Sequence, residues 1–99
     1  MMQDNKQALN KALDAALLGD WQTAHEIAQD YNDNIANWLH AVLHKIEGDV
    51  FNSNYWYAKT HGKKFEDFSD VKAELNAIKK SLIDWIYIQP LGFCTIAKR

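Results

Sequence analysis

Two Gly-Asp pairs, Gly19-Asp20 and Gly48-Asp49, each occupy the gap between two runs of helical apolar spacing. That placement constrains the fold more than any other feature of the chain. Glycine reaches the left-handed backbone that closes a helix, and an aspartate just after it can accept from the free amides that open the next one. Each pair therefore predicts a tight corner between two helices. The other two glycines, Gly62 and Gly92, and the single proline, Pro90, also fall where an apolar pattern stops, so the breakers act as punctuation in a helix-rich chain.

Between these marks the period of an amphipathic helix repeats. Ala8, Leu9, Ala12, Leu13, Ala16 and Leu17 predict a helix over about 4–18, and Trp21, Ala24, Ile27, Ala28 and Tyr31 extend a second to about 31. The third pattern, over about 34–47, is the cleanest: Ile35, Trp38, Leu39, Val42, Leu43 and Ile46 share one wide stripe, and all but Ile35 are expected to be largely buried. A fourth, aromatic segment runs from Val50 to about Thr60, with its core side drawn from Val50, Phe51, Tyr55, Trp56, Tyr57 and Ala58. Phe65-Glu66-Asp67-Phe68 reads as a loop with two inward-docked rings, and Ser69 or Asp70 caps a fifth helix built on Val71, Leu75, Ile78, Leu82 and Trp85. The expectation is an all-α fold of about five helices in a single domain over 1–99: two helical hairpins over 4–62, a capping helix over 69–88 and a tail over 89–99. Leu82, Trp85, Ile86 and Leu91 are expected to cover the open end of the hairpin pair or a dimer contact, because together they exceed what a soluble monomer exposes.

At 99 residues the chain can bury roughly two thirds of its unfolded surface, enough for one modest core. Four Trp, four Tyr and four Phe are expected to supply much of it, at ~150–250 Å² each. Net charge is −2, whereas nucleic-acid binders of this size carry a basic excess, so no nucleic-acid partner is expected. One cysteine, Cys94, excludes an internal disulfide framework and a cysteine-rich zinc module. The polar opening and the lack of a run near the ~18 apolar residues of a membrane span lead to the expectation of a cytoplasmic chain with no membrane partner, as monomer or homodimer. Three Lys stand against eight acids in the first fifty residues, and eight Lys/Arg against five acids after them. Solvated faces explain that asymmetry better than head-to-tail contact.

Registering the two Gly-Asp corners, 29 positions apart, superposes Leu9 on Trp38, Ala12 on Ala41, Leu13 on Val42 and Leu17 on Ile46. A helix pair repeated with a small residue at its close approach resembles the tetratricopeptide class, whose period is nearer 34 residues. The string Trp38-Leu39-His40-Ala41-Val42-Leu43-His44-Lys45-Ile46-Glu47-Gly48-Asp49, with Asn52, Tyr55-Trp56-Tyr57, Gly19-Asp20-Trp21 and Ala24-His25-Glu26, is similar to a family of small, uncharacterised bacterial helical proteins. The likeness covers roughly residues 19–62. It implies the fold and the importance of the histidines and names no reaction.

His40, His44 and Glu47 recur at i, i+4 and i+7, which puts two imidazoles and a carboxylate in one column of the third helix. One helix can offer that spacing to zinc or iron, with His25 or Glu26 from a neighbouring helix completing the shell. The zincin pattern places its Glu directly after the first His, where this chain has Ala41, and the paired Glu-x-x-His of di-iron bundles is not present. No Gly-rich phosphate loop occurs, Ser53 and Ser69 lack a nucleophile motif, and Cys94 sits among apolar neighbours. The plainer alternative is a set of histidines satisfied across a helix interface by Tyr55, Trp56 or backbone groups. The sequence reading is therefore a non-enzymatic helical interaction or ligand-binding module, with a groove of His25, Glu26, His40, His44, Glu47, Tyr55, Trp56 and Tyr57 that accepts a protein, peptide or small ligand. No catalytic residue, metal ligand or cofactor is assigned, and no tightly bound metal is expected. The competing reading is a small metal-dependent or acid–base enzyme using His40, His44 and Glu47.

Overall fold

The computed structural model describes the backbone of residues 2–88 and the side chains of residues 5–84. The described residues form five α-helices, α1 (Met2–Leu17), α2 (Trp21–Ala28), α3 (Asn34–Ile46), α4 (Val50–Ala58) and α5 (Val71–Ile88), with one 3-10 turn at Phe65–Asp67 before α5. The all-α expectation holds. Leu91, Pro90, Gly92, Cys94 and the rest of the tail lie outside the described residues, as do the side chains of Trp85 and Ile86.

The two Gly-Asp corners are built alike. Gly19 and Gly48 take φ of +89° and +83°, and the chain folds back so that the Asp20 amide donates to the Ala15 carbonyl at 2.8 Å and the Gly19 amide to Ala16 at 3.0 Å. At the second corner the Asp49 amide donates to His44 at 2.9 Å and the Gly48 amide to Lys45 at 3.1 Å. This paired bonding satisfies carbonyls left open at a helix end. Each aspartate then caps the next helix, Asp20 accepting from the Thr23 amide at 3.2 Å and Asp49 from Asn52 at 3.1 Å. Asp33 does the same for α3 through the Ala36 amide, and Asp70, rather than Ser69, for α5 through Ala73.

Two helices stop earlier than their spacing predicts. α2 ends at Ala28, short of Tyr31, because the Asp30 and Tyr31 amides tighten onto the Ile27 and Ala28 carbonyls. α4 ends at Ala58, where the Thr60 hydroxyl donates to the Tyr57 carbonyl at 2.7 Å and competes with a further turn.

α3 is the central element, packed against α1, α2, α4 and α5. Its Trp38, Leu39, Ala41, Val42 and Leu43 are buried with Leu9, Ala12 and Leu13 of α1 and Leu75, Ile78 and Leu82 of α5. Alanines at 24 and 28 leave room for the close approach of α2. Ile46 departs from the expectation, at 42% exposed. It is the last residue of α3, at the corner beyond the reach of its neighbours, and it lines an open pocket with Leu17, Lys45, Val71 and Lys72. In α4 the core face is Ser53 and Tyr57, with Trp56 half-buried, while Val50, Phe51 and Tyr55 face outward. Ser53 is buried because its hydroxyl donates to the Ala41 carbonyl at 2.7 Å. Phe65 and Phe68 dock on the core as predicted. α5 packs against α1 and α3. No described helix is long and apolar enough to cross a membrane.

Candidate functional site

α2 and α3 meet along a seam of rings. Trp21, the first residue of α2, donates its indole N–H to the Leu43 carbonyl at 2.5 Å, which pins the start of α2 to α3. One turn on, His25 stacks on Trp21 with ring centroids 4.6 Å apart. That stack turns the His25 ring edge-on to two imidazoles of α3, at 4.7 Å from His40 and 5.4 Å from His44. His40 and His44, one helical turn apart, stack on each other at 5.1 Å. Across the other interface, Trp56 of α4 lies flat on His40 with centroids 3.9 Å apart. Three imidazoles thus converge between two tryptophans.

The polar atoms converge too. His25 Nε2 and His40 Nε2 are 3.1 Å apart, so one ring supplies the proton and the other the lone pair. His44 Nδ1 lies 2.5 Å from Glu47 Oε1 and 4.0 Å from an Asp49 carboxylate oxygen. An acceptor at Nδ1 draws a His44 proton there, and in the neutral ring Nε2 then carries the lone pair. His40 Nδ1 is buried and has no hydrogen-bond partner among the described residues. Burial is the main cause that pulls the His40 pKa down to about 4, with His25 and His44 adding charge repulsion. His25 is lowered as well, first by burial and then by His44, against opposing pulls from Glu47 and Glu26. Near neutral pH His40 is therefore an uncharged imidazole, the form that binds Lewis acids.

Of the sequence candidates, His25, His40, His44, Glu47 and Trp56 are brought together. Glu26 is exposed and accepts from Gln22 at 3.3 Å on its own helix. Tyr55 is half exposed and meets Trp56 edge-on at 5.2 Å. Tyr57 points elsewhere, a correction to the expected groove: one position past Trp56 on α4, it turns into the core and donates its hydroxyl to Glu74 at 2.6 Å. Trp56 also lines a shallow groove of about 430 Å³ with Asn32, Asn37, Tyr55 and Lys59, so the surface depression lies toward the start of α3 rather than over the histidines.

Glu74 anchors a second polar cluster that the sequence reading missed. Fully buried on α5, it accepts from the Trp38 indole at 2.8 Å, the Tyr57 hydroxyl at 2.6 Å and Lys45 Nζ at 2.8 Å. Lys45 also donates to the Phe68 carbonyl at 3.0 Å. The Tyr57 phenol is held protonated, its pKa raised by burial and by the Glu74 bond. The signal was available, since Glu74 falls three residues after Val71 and four before Ile78, inside the apolar column of α5. All donors and acceptors of this cluster are engaged, so it reads as a joint between α5, α3 and α4.

No protein-family model matches the chain, and no curated protein or solved structure does so either.

Proposed function

We propose that this chain is a non-enzymatic, tetratricopeptide-like helical module that binds a ligand at the junction of α2, α3 and α4, with His25, His40 and His44 as the seat and Trp21 and Trp56 as its walls. One observation carries the reading: His40, only 4% exposed, holds one ring nitrogen against another imidazole and the other against no partner among the described residues. Buried polar groups are normally satisfied, and each orphan costs ~1–3 kcal/mol. Asn5, Asn10 and Asn37 also carry a buried side-chain oxygen with no partner among the described residues, and His40 differs from them in standing within a cluster of three imidazoles. Polar atoms kept short of partners beside half-open rings are a feature of binding sites, which trade stability for function.

Acid–base catalysis fits less well, because the one carboxylate of that reading, Glu47, is held by His44. The deciding experiment needs no ligand. His40→Phe keeps the stack on Trp56 and removes both ring nitrogens, while His40→Leu is closer in volume. In a cluster held for binding, removing the unpartnered nitrogen offsets the lost His25 contact, so at least one variant should match or exceed the parent in urea unfolding at neutral pH. Loss of more than about 2 kcal/mol in both would make the histidines structural and sink the reading.

A further inference from the structure

From the arrangement of the three rings we infer that the ligand is a late first-row divalent cation, zinc above all, bound by His25, His40 and His44 with a water at the remaining position; the inference rests on the binding-module reading. The ligand atoms that the three histidines can offer lie within 4.8 Å of one another. Zinc–imidazole bonds of ~2.0–2.1 Å in a tetrahedron place the nitrogens about 3.3–3.4 Å apart, and His25 Nε2 and His40 Nε2 already stand at 3.1 Å. Two imidazole nitrogens that face each other at a tetrahedral edge exchange one shared proton for two metal bonds. His44 stands one turn below on the same helix and is prepared for the third. Its Nδ1 is held by Glu47 at 2.5 Å, the carboxylate–imidazole pairing that fixes the tautomer and raises the basicity of a metal-bound histidine. Neutral nitrogen ligands favour zinc, copper, nickel or cobalt over magnesium or calcium, which prefer oxygen.

The column of His40, His44 and Glu47 could not by itself distinguish this from a satisfied interface. The deciding addition is His25, which the Trp21 stack delivers edge-on from α2. A competing seat exists in the same corner, since His44, Glu47 and Asp49 also lie within reach of one another. It is more exposed, and Asp49 is occupied there in capping α4 through Asn52. The inference places the cation on the three imidazoles, with Glu47 behind His44 as a positioning residue.

The test uses the full chain, purified without a histidine tag, dialysed against zinc and separately against cobalt, with metal content by elemental analysis and the cobalt absorption spectrum. One cation per chain is expected, with the strong visible bands of four-coordinate cobalt. His40→Phe and His25→Phe should each weaken binding at least tenfold, and Glu47→Gln by about 10–100-fold. Asp49→Asn, which keeps a good cap, should leave affinity unchanged. No binding by the parent chain, or binding that survives both phenylalanine variants and is lost in Asp49→Asn, would overturn the inference. The two readings fail separately. Stable His40 variants in a chain that takes no cation would remove the cation and leave the module, whereas loss of stability in both would remove the module, and His25→Phe would still report on metal.

Discussion

A glycine at positive φ is a local fact that one substitution can weigh. Gly48 stands at +83°, and a Cβ built there meets nothing within 4 Å, so Gly48→Ala tests backbone strain with no steric term. It should cost roughly 1 kcal/mol or more, read from the urea midpoint, and Gly19→Ala should behave alike because its corner has the same bonds. Leucine 43 tests packing in the same way. It is fully buried on the central helix, so Leu43→Ala should cost about 2–5 kcal/mol, while Ile46→Ala, at a half-open site, should cost clearly less. Both positions belong to one stripe in the sequence, and period alone gives them equal weight. What separates them is where neighbouring helices run out, which is tertiary information. Conversely, the spacing puts His40 in a polar column with His44 and Glu47, yet it is buried, because Trp56 of α4 arrives to cover it.

The elements were legible to the extent that their ends carry their own chemistry. Gly-Asp corners and aspartate caps fix where α2, α3 and α4 begin, and those starts agree with the spacing to within a residue. Ends at Ala28 and Ala58 are set by carbonyls captured by nearby amides and a hydroxyl, which no apolar period records. The attachment of α5 was half legible: Leu75, Ile78 and Leu82 announced an apolar face, whereas Glu74 within that face looks solvated until Trp38, Tyr57 and Lys45 are seen around it. Its prediction belongs to the element. Glu74→Ala removes the carboxylate that joins α5 to α3 and α4 and takes the charged partner from the Lys45 ammonium buried with it, leaving it the Phe68 carbonyl, so the cost should be about 3–5 kcal/mol. Replacing Lys45 and Glu74 together by Met and Leu should recover much of that loss, since breaking a buried pair costs more than replacing it. A single Glu74→Ala variant as stable as the parent in urea would show that apolar packing alone holds α5.

For the whole molecule, the histidine corner couples stability to pH, and the sign follows from burial. His40 titrates in the folded chain at about 4 and in the unfolded chain near 6.5. The unfolded state therefore binds the additional proton first as pH falls. Stability from this group is complete above about pH 6.5 and is lost progressively down to about pH 4, by on the order of 3 kcal/mol, at roughly 1.4 kcal/mol per unit. His25, also lowered by burial, acts in the same direction. The groups that face His40 are His25 from α2 and His44 from its own helix, with the uncharged Trp56 from α4; Glu47 acts on the corner through His44. The two neighbouring imidazoles make a proton on His40 less welcome. Urea unfolding at about pH 7 and about pH 5 should show the parent chain markedly weaker in acid. His40→Phe should flatten that slope, because it removes the titrating group and keeps the stack. An acid slope as steep in His40→Phe as in the parent would assign the sensitivity to other side chains and mean that His40 binds its proton equally in the folded and unfolded chain.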